Sequence, residues 1–166
     1  MRVRAAIPAD IPAITDLYNV LIPTTTEAWT NDPDTIELRT AWFAAQARDD
    51  RPILVADVDG AVVGFTSYTS FRGEGRWPGY RHTVEHTIHV AESAWGRGVG
   101  RALLEALMDE AARRDIHVMV GAVDADNVES IRFHERLGFV ETARMPEVGR
   151  KFDRWLDLVL LQRVLA

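Results

Sequence analysis

Apolar residues set the first expectations for this chain. Ile11, Ile14, Leu17, Tyr18 and Leu21 recur at three- and four-residue intervals behind Pro8-Ala9-Asp10, which predicts a helix entered at that proline and ended by Pro23. Val3 to Ala6 reads as a short strand before it. A second, less regular helix carries Ile36, Leu38, Trp42, Phe43 and Ala47, with Asp34 as its predicted cap. Ile53 to Asp57 and Ala61 to Tyr68 then read as two strands turned by Asp59-Gly60, a strong hairpin signal.

From Thr83 to Val90 the pattern has period two, with Val84, His86, Ile88 and Val90 on one face and Glu85, Thr87 and His89 on the other. This strand runs directly into Trp95-Gly96-Arg97-Gly98-Val99-Gly100-Arg101. Helical spacing resumes at Val99, Ala102, Leu103, Ala106, Leu107 and Ala111, with Asp109/Arg113 and Glu110/Arg114 expected to pair on the exposed side. His117 to Val123 is a further strand, Asp126 and Glu129 have capping-box spacing before a helix ending near Leu137-Gly138, and Phe139 to Met145 and Trp155 to Gln162 read as the last strands. Strands and helices mix along the whole chain, an α/β (α+β) pattern, with no repeat or linker to divide residues 1–166, so a single domain is expected.

Composition narrows the function classes. With no cysteine, disulfides, thiolate metal sites and an acyl-cysteine intermediate are excluded. A formal charge of −6 with scattered lysines and arginines argues against nucleic acid as a partner. The N-terminal residues lack a secretory pattern and no window approaches a spanning helix, so a soluble, cytoplasmic protein without a membrane partner is expected.

A strand, a glycine run and a helix N-terminus converge backbone N–H groups on one spot, a natural seat for phosphate. Glycines let the backbone approach the oxygens, while Arg97 and Arg101 offer charge at the rim. Arg101-Ala102 stands where a Walker loop needs Lys-Ser or Lys-Thr, and Arg101 also breaks the Gly-x-Gly-x-x-Gly spacing of a dinucleotide loop.

The run Trp95-Gly96-Arg97-Gly98-Val99-Gly100 does resemble the pyrophosphate loop of the GCN5-related N-acetyltransferase (GNAT) superfamily, usually Arg or Gln-x-x-Gly-x-Gly or Ala, with Trp95 departing at the first position. Asn127 and His134-Glu135-Arg136-Leu137-Gly138-Phe139 match a second superfamily segment downstream. Leu17-Tyr18-Asn19, Glu27-Ala28-Trp29, Arg81-His82-Thr83-Val84-Glu85-His86, His117-Val118-Met119-Val120 and Val148 to Asp157 extend the similarity to the phosphinothricin and methionine-sulfone acetyltransferase branch. The resemblance implies a mixed, mostly antiparallel seven-stranded sheet flanked by about four helices, an acetyl-CoA donor, a small amino acid or analogue as acceptor, and often a homodimer.

Acetyl transfer needs a deprotonated amine, a polarised carbonyl and a stabilised thiolate. Glu85 lies roughly 16–17 Å along a strand from Val90, about the reach of a pantetheine arm held at the glycine loop, and is the expected general base. An ion pair with Arg81 is its structural alternative. His134 shares a helical stripe with Val128 and Ile131, and by resemblance stands where a tyrosine often protonates the thiolate; a hydrogen-bonded core histidine is the alternative. By the same resemblance, the backbone of Ile88, His89 and Val90 is expected to hold the pantetheine. Asn127 is expected either to bond the donor or to cap its helix.

Arg72 and Arg81, in a loop at 71–81 that reads as either ligand-facing or solvated, lead the candidates for an acceptor carboxylate, with Lys151 and Arg154 next. Trp29, Trp77 and Trp155 are candidate pocket walls. His82, His86 and His89 lie on two faces of a strand, so no metal site is expected, and polar lining of the cleft or ordinary hydrogen bonding explains them better. Transfer to another amine (a polyamine, an antibiotic or a protein N-terminus) and a non-catalytic acyl-CoA sensing module remain the rival readings.

Overall fold

The computed structural model describes residues 1–73 and 75–165; Glu74, inside the loop expected at 71–81, and Ala166 lie outside the described residues. Seven strands form one sheet in the order β1-β2-β3-β4-β5-β7-β6. They are β1 (Arg2–Ala5), β2 (Ile53–Val58), β3 (Ala61–Ser70), β4 (Thr83–Val90), β5 (Val118–Asp124), β6 (Val140–Lys151) and β7 (Arg154–Val164). Four helices flank it: α1 (Ile11–Asn19), α2 (Ile36–Arg48), α3 (Val99–Arg113) and α4 (Val128–Arg136). All neighbours are antiparallel except β4 and β5.

Alternation along the strands sends one set of side chains to each face. Leu54 and Ala56 of β2 meet Leu103, Leu104, Leu107 and Ala111 of α3, together with Met119, Val159 and Leu161. Ile53 and Val55 point the other way, onto Ile14, Phe65, Tyr18, Trp42 and Phe43 beneath α1 and α2. Both clusters are tightly closed, and burying each large side chain contributes about 1.5–3 kcal/mol. At the β2–β3 turn Asp59 and Gly60 both take positive φ (54° and 87°), the primed geometry that suits the strands' twist.

Several local expectations shift. Thr35, not Asp34, caps α2 through its hydroxyl to the Leu38 N–H. Asp34 instead pairs at 2.5 Å with Arg39, whose buried guanidinium lies over the Tyr18 and Trp42 rings. The inward side of α2 therefore carries Arg39 and Gln46, while Ile36 and Leu38 are exposed. Likewise α1 ends at Asn19, with looser turns carrying the chain on to Thr24. On α3, Arg113 and Arg114 both pair with Glu110, leaving Asp109 out. Finally, β6 runs six residues past Met145, because irregularities at Glu141/Ala143 and Met145/Gly149 absorb its breaks in alternation.

Candidate active site

The one parallel pair opens. Register runs Thr83↔Val118, Val84↔Met119, Glu85↔Val120 and then stops, although both strands continue. The strands part beyond Glu85, leaving a V whose sides are the rest of β4 and β5. Phe71 N–H donates to Thr83 O and Ala91 N–H to Val63 O, so odd-numbered residues of β4 turn their backbone groups to β3 and even-numbered ones to the gap. Among the three residues expected to hold a pantetheine arm, Ile88 and Val90 thus offer backbone groups to the opening. His89 spends its own on the ladder opposite Phe65.

At the wide end of the V the chain makes a short turn over Glu92–Ala94 and enters the glycine loop. Gly96 and Gly98 both sit in the left-handed region (φ 69° and 79°), where any other residue is strained. Gly98 is also the N-cap of α3 and brings no side-chain cap, and the first helical bond is Ala102 N–H to Gly98 O. The N–H groups of Val99, Gly100 and Arg101 therefore have no helical acceptor, which with the helix dipole makes an anion seat. At Gly100 a Cβ would press on the Phe133 ring at 3.3 Å, so this glycine brings α3 close to α4. Arg97 and Arg101 are exposed, the latter paired with Glu105. These features fit a pyrophosphate.

Glu85 stands at the last paired position, half-buried, with no hydrogen bond or ion pair among the described residues. The alternative ion pair is not formed, since the Arg81 guanidinium bonds Pro78 O. Burial raises the Glu85 carboxyl above the usual glutamate range. Its side chain shares a face of β4 with His89, which packs on Tyr18 and Phe65 beneath α1.

The next residue, His86, points to the opposite face and meets His134 of α4, Nε2 to Nε2 at 3.1 Å. Gly121 of β5 makes the room: a Cβ there would lie 3.0 Å from His86 Nε2 and 3.2 Å from the His134 ring. His134 Nδ1 faces Ser130 O at 2.7 Å and, because a carbonyl only accepts, carries the hydrogen. Neutral His134 then accepts at Nε2, and His86 donates from Nε2. Burial holds the His86 pKa well below the ordinary histidine value, with His134 and His89 adding to the effect, and burial lowers that of His134 too. His134 is thus both inward-facing and hydrogen-bonded. His86, its donor, is weighed in the sequence with His82 and His89 as polar lining or a hydrogen-bonding residue, and here it hydrogen-bonds His134.

The four basic candidates for an acceptor carboxylate fall into two separate groups. Arg72 lies over Tyr80 and Arg81 bonds Pro78 O, at the β3–β4 end of the sheet. Lys151 and Arg154 lie at the β6–β7 turn, and both are engaged otherwise. Buried Lys151 donates to Thr25 O at 2.8 Å and Ala28 O at 2.5 Å, while Arg154 pairs with Asp126 at 2.7 Å and reaches toward buried Asp124 at 3.7 Å. Lys151 therefore holds the loop after α1, whose Glu27 carboxylate reaches within 3.9 Å of His89 Nδ1. Trp29, in the same loop, lies against Gly149; Trp77 and Trp155 are largely exposed, beside Arg76 and Arg150.

Asn127, rather than Asp126, caps α4, its Oδ1 accepting from Ser130 N–H at 3.0 Å, which corrects the predicted capping box by one residue. Among the described residues its amide nitrogen has no hydrogen-bond partner, and Asn127 lines a cavity of about 360 Å³ with Thr24, Glu27, Phe152 and Arg154.

A sheet that parts at its parallel pair beside an anion seat, with an unpaired carboxylate at the parting, is the architecture of an acyl-group transferase using a phosphate-bearing donor. The acetyltransferase (GNAT) family model matches residues 14–139. The L-methionine sulfoximine/L-methionine sulfone acetyltransferase of Pseudomonas paraeruginosa is 44% identical over 96% of this chain and 92% of its own. Among solved structures, an N-acetyltransferase from Staphylococcus aureus Mu50 superposes with a TM-score of 0.95 at 39% identity, covering 99% and 98% of the two chains. A GNAT superfamily phosphinothricin acetyltransferase from Sinorhizobium meliloti in complex with AcCoA gives 0.93 at 30% identity, covering 99% and 88%. The chain belongs to the GNAT family of acetyl-CoA-dependent N-acetyltransferases, within the branch that its relatives' names define.

Proposed function

We propose that this enzyme moves the acetyl group of acetyl-CoA directly to the primary amine of a small amino acid or analogue of the methionine sulfoximine, methionine sulfone or phosphinothricin kind. The observation that carries the reading is Glu85, a partly buried carboxylate without a partner among the described residues, at the point where β4 and β5 separate. The acceptor class rests on the relatives' activities.

The donor lies along the open edge of β4, its pyrophosphate on the N–H groups of Gly98 to Arg101 and at the rim of Arg97, its arm on Ile88 and Val90, with the Asn127 amide beside it. The loop fits the donor because its first helical N–H groups lack acceptors. Glu85 faces the α1–α2 side and the His86/His134 pair faces the α3–α4 side, so the amine and the thioester meet from opposite faces of the sheet.

Glu85 takes the first proton from the ammonium, and the free amine attacks the thioester carbonyl. As the tetrahedral intermediate collapses, the carbon–sulfur bond breaks and the nitrogen gives up its second proton, which the imidazole pair, neutral at rest, takes up and hands to the departing thiolate. The pair is thereby neutral again, and Glu85 returns its own proton to water. Arg72 and Arg81 remain the candidates for the acceptor carboxylate. Lys151, whose ammonium is filled by two carbonyls, shapes the pocket through the loop it holds, and Arg154 does so beside Asp126.

The chain works in the cytoplasm as a homodimer: β6 is the outer strand of the sheet and exposes Val140, Met145 and Val148, with Trp155 of β7 beside them, which supports a contact with a second copy. No helix among the described residues is long and apolar enough to cross a membrane. Thiol release from acetyl-CoA, measured over a panel of amino acids including methionine sulfone, methionine sulfoximine and phosphinothricin, tests the reading. Release with these acceptors supports it, and release only with a polyamine, an antibiotic or a peptide N-terminus overturns it.

A further inference from the structure

Between the end of β4 and the start of α3 the backbone passes through a single 3₁₀ turn and two left-handed glycines, Gly96 and Gly98. Glycine gives up more conformational freedom than any other residue when it is fixed, so a loop of this kind needs an anchor if it is to present its N–H groups preformed. The residue before Gly96 supplies one. The indole Nε1–H of Trp95 donates to Val90 O at 2.8 Å, bridging the first residue of the loop to the last residue of the open strand edge. Trp95 N–H is itself bound to Glu92 O at 3.0 Å, so the tryptophan is held at both its backbone and its side chain.

Trp95 is nevertheless 56% exposed, and it bridges the two segments that the donor must touch. The position is also the one at which this chain departs from the arginine or glutamine of the superfamily pattern. An indole is a donor only, so it cannot serve here by accepting from the loop amides; what it offers is a single N–H and a flat apolar face.

We infer that Trp95 is a positioning residue of the donor site, its indole N–H tying the glycine loop to the Val90 carbonyl and its exposed face forming a wall that bound donor covers. The inference rests on acetyl-CoA as donor. It also implies that one acceptor site on Val90 O is already occupied by the protein, so that hydrogen bonds from the pantetheine fall chiefly on Ile88.

The test uses the full chain and coenzyme A itself, with titration calorimetry for affinity and acrylamide quenching of tryptophan fluorescence for coverage of the ring. Trp95→Phe retains an aromatic face and removes the N–H, and an exposed site tolerates the exchange. The expected results are a three- to tenfold weaker coenzyme A affinity, roughly the worth of one hydrogen bond, an equal rise in KM for acetyl-CoA, and kcat within about twofold of the parent. Coenzyme A should shield part of the parent's fluorescence from acrylamide, and this shielding should shrink in Trp95→Phe. Unchanged affinity, unchanged shielding, or a loss confined to kcat would overturn the inference. A parent chain that fails to bind coenzyme A would overturn the donor reading, and this inference with it.

Discussion

His86 and His134 share a single hydrogen between their Nε2 atoms across the first unpaired position of the parted strands. Both rings are buried and neutral, so a proton on either would sit away from solvent, and one on His134 Nε2 would also displace the hydrogen bond from His86. Their folded pKa values lie below the ordinary one, and the unfolded chain therefore binds more protons as the pH falls through about 6.5. Stability from this pair is complete above that pH and declines on acidification. Denaturant midpoints should drop between pH 7 and pH 5, and His86→Gln, which keeps an N–H donor and cannot titrate, should show a shallower drop. Equal slopes for parent and variant would remove the pair as the cause. Asp10, held below the usual aspartate range by Arg4, loses its contribution only at lower pH, outside this window.

Lys151 connects the β6–β7 turn to the loop that carries Glu27 and Trp29. Lys151→Met fills similar space but leaves the carbonyls of Thr25 and Ala28 without their donor, at a cost of about 2–3 kcal/mol. For a chain of this size that is a fall in Tm of roughly 5–10 °C. KM for the amine acceptor should rise several-fold and KM for acetyl-CoA should hold. A rise in both, or in the donor's alone, would place Lys151 elsewhere in the mechanism.

Gly149 is needed because a Cβ at that position would run into the Trp29 ring. Gly149→Ala should destabilise the fold by about 1–3 kcal/mol, the usual range for overpacking. In a Trp29→Ala background the same change should be close to neutral. A double-mutant cycle by chemical denaturation checks this, and additive effects would mean that the two residues do not press on one another.

Much of the fold was readable because its elements follow single rules. The period-two pattern from Thr83 to Val90 set the faces of β4 correctly, and Asp59-Gly60 set the β2–β3 turn. Helical periodicity failed on α2, where the inward positions are Arg39 and Gln46, a cation held by aromatic faces and Asp34 and an amide bonded to Tyr68 O. No apolarity pattern announces such residues. The strand, glycine loop and helix were legible in their order, and so was the place of Glu85 on β4, five residues before Val90. The partners of Lys151 were not: Thr25 and Ala28 are more than a hundred residues away in the chain, and backbone carbonyls leave no trace in sequence. In the sequence Trp95 shows only as a departure from the superfamily pattern, whereas its indole donates a hydrogen bond of its own.

The central claim is that Glu85 removes the acceptor's proton, and Glu85→Gln tests it most directly. Because burial raises the Glu85 pKa, the carboxylate forms only above the usual glutamate range, and kcat/KM for the amine should rise with pH through a limb displaced upward accordingly. Glu85→Gln should lose about 10²–10⁴-fold in kcat, abolish that limb and leave coenzyme A affinity unchanged. A variant with parental turnover and the same pH limb would contradict the account.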